Sequence, residues 1–348
     1  MEDRIDLLSM TPEEIGEAVA GLGEKPFRAK QIFKWLYRGA TDFTEMTDLP
    51  KGLIRKLGEK HTICRLREEA KKISSDGHTI KYLFLLPDDH IIECVEMEYH
   101  HGITLCLSTQ VGCRMRCSFC TSTTGGLLRH LTPGEMCAQV LAVNRALAQR
   151  GKPELHGLVL MGSGEPLDNY DNTLKFLRLI HEPDGLNMGY RNITLSTSGL
   201  VPRMRDLAEE GIPINLAVSL HASNDRIRRE IMPVASAYSI ADLMDASRTY
   251  FEKTGRRVTF EYALIRGKND GIDHARELAA LLRDFPSHVN VIPLNEVPHA
   301  GYKRSSEEQI RLFMEELKRC GVNVTRRREL GLDIEGACGQ LKASHLKR

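Results

Sequence analysis

From residue 133 onward, stretches with helical periodicity alternate with short strand-like ones, and this restricts the fold more than any other feature. Strands are expected at HGLVLMG, RNITLST, PINLAVSL, RRVTFEYALI, HVNVIPLN and VNVTRR. Helices are expected near 133–149, 169–181, 201–210, 240–254, 271–284 and 306–319. Six strands alternating with helices mean repeated βαβ units around a parallel sheet, an α/β fold. The number suits an open partial (β/α) barrel as well as a doubly wound sheet, and periodicity does not separate the two. Small, polar or glycine-rich segments follow the C-terminal ends of the strands: CLSTQVGC, MGSGEP, LSTSG, VSLHAS, LIRGKND and PLNEVP. Parallel α/β folds build their active sites from those loops, so chemistry is expected there.

Ahead of this region, TIKYLFLL, HIIECVEME and ITLCLS read as strands of an antiparallel lead-in. The first 60 or so residues read as helical. Thr11-Pro12-Glu13-Glu14 has the order of a capped helix start. KPFRAKQIFKWLYR, residues 25–38, carries five basic residues and no acidic one, interleaved with Phe27, Phe33, Trp35 and Tyr37. On a helix Lys30, Lys34 and Arg38 form one stripe, either a solvated face or a phosphate-contacting one. The expected division is a helical domain at 1–70, a β-rich lead-in at 71–105 and the barrel at 106–348.

Charge is balanced, 48 Lys and Arg against 47 Asp and Glu, so any nucleic-acid surface must be a local patch. MEDRIDLLSM is acidic and lacks an apolar run, and no stretch approaches 18 apolar residues. The expectation is a cytoplasmic chain with no membrane partner. No sequence repeat or low-complexity segment is evident.

Nine cysteines, odd in number and unevenly spaced, argue against a disulfide framework. Cys113, Cys117 and Cys120 fall within eight residues as C-x3-C-x2-C. A closed zinc site wants four ligands, commonly two separated pairs, and a catalytic zinc rarely takes three thiolates. A [4Fe–4S] cluster held by four cysteines is an electron carrier. Held by three, it keeps one open iron position where a substrate or cofactor can bind.

The triplet, with an aromatic residue before its last cysteine, resembles the radical S-adenosylmethionine superfamily, whose partial (β/α)6 TIM-like barrel bears this loop after its first strand. The resemblance implies a [4Fe–4S] cluster on Cys113, Cys117 and Cys120, one per chain, with S-adenosyl-L-methionine chelating the open iron. One electron then cleaves that cofactor to methionine and a 5′-deoxyadenosyl radical. Gly164 and Glu165 in MGSGEP resemble the element facing the methionyl amino group. Ser196, Ser219, Leu220, His221 and Asn295 are similar to further cofactor contacts.

Cys106 in TLCLSTQVGC and Cys338 in LGLDIEGACGQL narrow the family, together with GEKPFRAKQIFKWLYRG and FTEMTDLPKGLIRKLGEK. From about residue 5 to 342 the chain resembles the RlmN family of dual-specificity RNA methyltransferases. That implies methylation of C2 of an adenosine in the peptidyl-transferase region of 23S rRNA and of an adenosine next to the anticodon in certain tRNAs. C2 of adenine is electron-poor and does not attack a methyl sulfonium, whereas a carbon radical adds to it. By resemblance, one S-adenosylmethionine methylates Cys338 and a second generates the radical that takes a hydrogen from that methyl group, so two are consumed per methylation. The carbon radical joins C2, tethering RNA to Cys338. After the C2 proton leaves, Cys106 releases product by forming a disulfide with Cys338. Glu93 in IIECVE matches the position assigned as proton acceptor, with Cys106 as the competing candidate. Cys64, Cys94, Cys137 and Cys320 match no motif and read as packing residues.

The chain departs from the family at Ser163, where methionine is usual. Val111 and Pro166 differ from the residues that the C8-methylating relative Cfr tends to carry, which favours C2. Phosphate contacts are expected from Lys25, Arg28, Lys30, Lys34 and Arg38, from Arg114 and Arg116, and from Arg326, Arg327 and Arg328. The implied electron donor is a flavodoxin or ferredoxin, and the expected state is a monomer. Rival readings are a glycyl-radical activase, which needs no Cys338, and a methylthiolase, which carries a second three-cysteine cluster. A third is a non-catalytic zinc-stabilised RNA-binding protein.

Overall fold

The computed structural model describes residues 4–297, 300–341 and 344–345. Pro298, which ends the PLNEVP loop, lies outside them. Helices α1 (Pro12–Gly21), α2 (Phe27–Tyr37) and α3 (Lys51–Lys60) form the N-terminal unit. The parallel pair β1 (Ile5–Asp6) and β2 (His61–Thr62) ties its two ends together. The start of α1 follows from its residues: Glu14 N–H donates to Thr11 Oγ1, and Thr11 N–H donates to the Glu14 carboxylate at 2.7 Å.

The basic segment becomes α2, and its residues divide between core and surface. Phe33 and Tyr37 are buried and stacked, with ring centroids 4.5 Å apart. Trp35 donates its indole N–H to Asp48, while Phe27 is exposed with the Arg28 guanidinium over its ring. Lys30 and Lys34 reach Asp184 of the barrel at 2.9 and 3.4 Å. Two members of the expected phosphate stripe are therefore occupied by an interdomain carboxylate. Lys25 and Arg38 stay exposed, with no ion pair seen among the described residues. Exposed pairs like these contribute roughly 0–1 kcal/mol each. Docking rests instead on one apolar core that runs unbroken from Leu7, Ile32 and Phe33 into the barrel.

The lead-in consists of β3 (Arg67–Ile73), β4 (Thr79–Leu85) and β5 (His90–Tyr99), an antiparallel meander ending in β6 (Gly102–Cys106). A two-stranded ribbon follows, β7 (Gln110–Gly112) with β8 (Leu127–His130), and the cysteine triplet forms its loop. Then helices and strands alternate: α4 (Pro133–Gln149), β9 (Gly157–Leu160), α5 (Tyr170–His181), β10 (Ile193–Thr197), α6 (Val201–Glu209) and β11 (Asn215–Ser219). After these come α7 (Asp225–Ile231), α8 (Ile240–Thr254), β12 (Val258–Leu264), α9 (Ile272–Leu281), β13 (Ser287–Pro293), α10 (Glu307–Arg319) and β14 (Val324–Arg326).

Strands β6, β9, β10, β11, β12, β13 and β14 lie side by side in chain order, each parallel to the next. A doubly wound sheet reverses its strand order at a switch point, and this one does not. The partial barrel is the arrangement found. β6 is antiparallel to β5 on one edge and parallel to β9 on the other. The lead-in and the barrel therefore share one sheet, and the expected boundary at 105/106 falls inside a strand. The structure adds α7, seven residues capped by Asn224, too short and too charged to give a periodic signal. Finally β15 (Ser344–His345) pairs with the start of β5 and carries the chain end back across the lead-in.

Candidate active site

The triplet loop is shaped by its backbone. Gly112 sits at φ +79°, and a Cβ there would lie 1.9 Å from the Gly126 carbonyl oxygen across the ribbon. Cys113 N–H donates to Gly126 O at 3.0 Å, and Cys120 N–H to Cys117 O at 3.1 Å. Ser118 anchors the middle of the loop, its N–H donating to Ile231 O at 2.9 Å and its hydroxyl lying 3.0 Å from Tyr302 Oη. Arg114 makes a bidentate contact with Asp168, at 2.6 and 2.9 Å, so this expected phosphate contact is already paired. Arg116 is exposed.

All three thiols line one cavity of about 140 Å³ at the C-terminal ends of the strands. Burial pushes Cys113 up to about 12 and raises Cys117 and Cys120 as well, and each thiol is also raised by a neighbouring cysteine. Burial raises the Cys94 and Cys137 thiols in the same way, so what sets the triplet apart is that all three of its cysteines line one cavity. Among the described residues no three His, Cys, Asp or Glu side chains converge on a single-ion site.

The GSGEP turn forms the adjoining wall. Gly164 has φ +119°, and a Cβ would come 2.7 Å from Thr109 Oγ1. Glu165 is buried, and desolvation raises its pKa although Ser198 N–H donates to it at 2.6 Å. Ser163, the departure from the family pattern, is fully buried, and its hydroxyl finds no hydrogen-bond partner. An orphan hydroxyl costs about 1–3 kcal/mol. Ser163→Ala is therefore expected to raise thermal stability by about 1 kcal/mol, read from the unfolding midpoint. A lowered midpoint would mean the hydroxyl has a partner after all.

Ser196, Ser219, His221 and Asn295 line the same cavity from the ends of successive strands. His221 Nδ1 accepts from Ala263 N–H at 2.9 Å, and burial lowers its pKa to about 3, so the ring is neutral with its proton on Nε2. Its ring meets Phe119 edge-on at 4.9 Å. Leu220 differs: its side chain packs into the main core, and it is not part of the cavity wall. Ser219 is the last residue of β11, and just past it the backbone turns through a left-handed conformation at His221, φ +53°. Asn295 donates to Cys338 O at 2.9 Å, and its own side-chain oxygen is left without a partner. That free acceptor suits a polar, zwitterionic ligand in the cavity.

The two distant cysteines meet here. Cys106 ends β6, opposite Val95 of β5, in an apolar cluster with Leu341. Cys338 is held by three contacts around it: Asn295 to its carbonyl, Thr121 N–H to Gly339 O at 2.8 Å, and the Ser122 hydroxyl to Leu341 O at 2.6 Å. The tail is thus fastened to the triplet loop. A second chamber of about 40 Å³ is lined by both Cys106 and Cys338. Burial, and then the neighbouring Cys338, push the Cys106 thiol up to about 12, with Arg327 acting in the opposite direction.

Arg327 is the finding the sequence pattern obscured. Three consecutive arginines predict an RNA contact for it, yet it turns inward and lines both cavities. Its guanidinium lies 3.3 Å from Glu261 and 3.2 Å from Met161 Sδ. Burial works against its charge, but Cys338, Glu261 and Cys106 together raise its pKa. Arg326 and Arg328 are both exposed, but Arg326 is engaged by Glu307 and Glu329, whereas Arg328 has no ion pair seen among the described residues. Alternation along an extended segment separates the three neighbours.

Glu93 is buried one pleat beyond Val95, 3.4 Å from the buried Lys81 ammonium. It lines neither chamber, so this arrangement does not place it against a substrate. Arg228, which no motif marked, lies fully buried behind the cavity and donates to Ser198 O, Ser219 O and Leu220 O.

Known proteins share this architecture. Residues 5–63 match the ribosomal RNA large subunit methyltransferase N-terminal domain, and residues 107–279 match the radical SAM superfamily. A probable dual-specificity RNA methyltransferase RlmN of Alkaliphilus oremlandii is 54% identical over 345 residues, spanning 99% of each chain. One from Geobacillus kaustophilus is 49% identical, over 98% of this chain and 93% of its own. A crystal structure of a radical SAM methyltransferase from Sphaerobacter thermophilus superposes with a TM-score of 0.93 at 46% identity, over 97% of this chain and 99% of that one. With both domains matched and near-complete coverage at such identities, the chain belongs to the RlmN family of radical SAM RNA methyltransferases.

Proposed function

We propose that this chain methylates C2 of an adenosine in the peptidyl-transferase region of 23S rRNA, and of an adenosine next to the anticodon in certain tRNAs, through a methylated Cys338 and a transient Cys106–Cys338 disulfide. The observation that supports it most is the shared chamber: two cysteines remote in sequence line one space beside the triplet's cavity. When bound, one [4Fe–4S] cluster on Cys113, Cys117 and Cys120 and two molecules of S-adenosylmethionine per turnover supply a methyl group and a hydrogen-abstracting radical.

The chain's own residues do the rest. Cys338 carries the methyl carbon, a role open to a thiolate on a glycine-flanked loop. After the carbon has bonded to C2, the adduct must lose both its C2 proton and its unpaired electron, for which the oxidised cluster would be the acceptor, and Cys106 thiolate then attacks Cys338 sulfur. The sulfur–carbon bond breaks, its electron pair stays with carbon, and a proton completes the product methyl. The proton acceptor at C2 must reach the chamber; Cys106 lines it, and Glu93 does not. The chamber has room for only a few waters. An adenine extruded from its stack therefore enters only if the 336–341 segment shifts.

The phosphates around the extruded base are assigned to the exposed Lys25, Arg38, Arg116 and Arg328 rather than to the paired Lys30, Lys34, Arg114 and Arg326. Arg328→Ala is expected to weaken RNA binding two- to fivefold and to lower the slope of log affinity against log salt by up to ~1. Arg326→Ala should leave that slope unchanged. Equal slopes for all three proteins would remove Arg328 from the interface.

Among the described residues no helix is long and apolar enough to cross a membrane. A monomer in the cytoplasm, reduced by a flavodoxin or ferredoxin, is the accompanying proposal. Mass spectrometry of ribosomal and transfer RNA from cells lacking this chain tests the whole: 2-methyladenosine should disappear from both. Its persistence in both would end this reading, and loss of 8-methyladenosine instead would favour C8.

A further inference from the structure

We infer that Arg228 is the buried counter-charge of the cluster held by Cys113, Cys117 and Cys120, and that it sets how readily the cluster accepts an electron. The inference rests on the cluster assignment above. Arg228 lies on α7 and is fully buried, the largest side chain so enclosed. No carboxylate lies within ion-pair distance of it among the described residues. Its Nη2 donates to Ser198 O at 2.8 Å and Ser219 O at 3.3 Å, its Nε to Leu220 O at 3.2 Å, and its Nη1 finds no partner.

A guanidinium is always charged in a protein, and burying one without an anion is costly. Three carbonyl dipoles and the Asp225 carboxylate, which lies beyond ion-pair distance, offset the burial only in part, so a further anion nearby is needed to justify the position. The place points to which one. Ile231, one turn further along the same helix, accepts from both Ser118 N–H and the Ser118 hydroxyl, next in the chain after Cys117. Ile231 and Met232 share one small apolar cluster with Cys117. On its other side, Arg228 reaches Ser198, whose N–H holds Glu165 at 2.6 Å.

Three thiolates on a four-iron core leave a net negative charge, and uptake of one electron from an external donor adds another. A fixed cation in a low-dielectric setting favours the more negative state. The same contacts also brace the loops after β10 and β11, so charge and hydrogen bonding must be separated experimentally. Arg228→Lys keeps the charge with fewer bonds. Arg228→Gln keeps donors without charge.

Each variant and the parent chain would be reconstituted anaerobically, assayed for iron and sulfide, and poised with dithionite in potentiometric titrations followed by electron paramagnetic resonance of the reduced cluster. At the potential that half-reduces the parent, Arg228→Gln is expected to show at least fivefold less reduced cluster at equal iron content, and Arg228→Lys to stay within twofold. A parent-like reduced fraction in Arg228→Gln overturns the inference. So does a fivefold loss in Arg228→Lys, which would assign the effect to the bonds. Should Arg228→Gln fail to load iron, Arg228→Lys decides alone by the same criterion. A parent chain that binds no iron would overturn the functional reading itself.

Discussion

Cys106→Ala is expected to trap RNA on the protein. The variant keeps Cys338, the triplet and the cavity, so methylation of Cys338 and attack on C2 proceed, and only the thiolate that closes the disulfide is missing. Product release should fall below detection, while a methylene-bridged RNA–Cys338 adduct accumulates toward one per chain. Protein purified from cells should already carry it, as a slow-migrating species that nuclease reduces to a nucleotide adduct in mass spectra. The fold should survive, because the substitution removes one sulfur from the small apolar cluster with Val95 and Leu341, at a cost of about 1 kcal/mol. Cys338→Ala must behave differently, giving neither methylated protein nor adduct, since the carrier atom is gone. Free RNA and intact turnover in Cys106→Ala would rule out the covalent route.

Alanine at Cys113, Cys117 or Cys120 should abolish methylation for another reason. Each variant removes one of three proposed protein ligands, so iron content should fall by at least half and 2-methyladenosine formation below detection. Secondary structure measured by circular dichroism should stay within error of the unsubstituted chain. The main core that carries the fold runs through the strands and helices, whereas Cys117 and Cys120 pack with the small cluster around Ile231 and Leu294. A variant with normal iron and full turnover would show that its cysteine is not a ligand.

Much of this was legible in local pattern. All six anticipated barrel helices begin within one residue of their expected starts, because each carries amphipathic periodicity and three of them a capping side chain. The triplet was equally plain: its spacing confines three thiols to one loop whatever the surrounding fold does. MGSGEP, LSTSG and VSLHAS could be placed at strand ends for the same local reason. Short α7 and the β7–β8 ribbon were not legible, since seven and three residues give no period to read.

What required the tertiary structure is which way side chains face and what distant segments meet. One pleat places Cys106 against the chamber, and the next register position leaves Glu93 beside Lys81. Leu220 turns into the core between Ser219 and His221, which face the cavity. Among three consecutive arginines only Arg327 points inward, because β14 is in register with β13 from Val289 to Val291 and fixes the segment that follows. Arg228 took its buried place without any motif to announce it. The sequence by itself determined most of the elements, the α/β class and the loop that gathers three cysteines, all products of short-range periodicity and spacing, whereas strand order in the folded sheet made it a partial barrel. Tertiary structure alone brought Cys338 to Cys106 and gave Arg327 and Arg228 their partners. Those contacts depend on strand register and on through-space packing between separate segments of the chain, which no local pattern encodes.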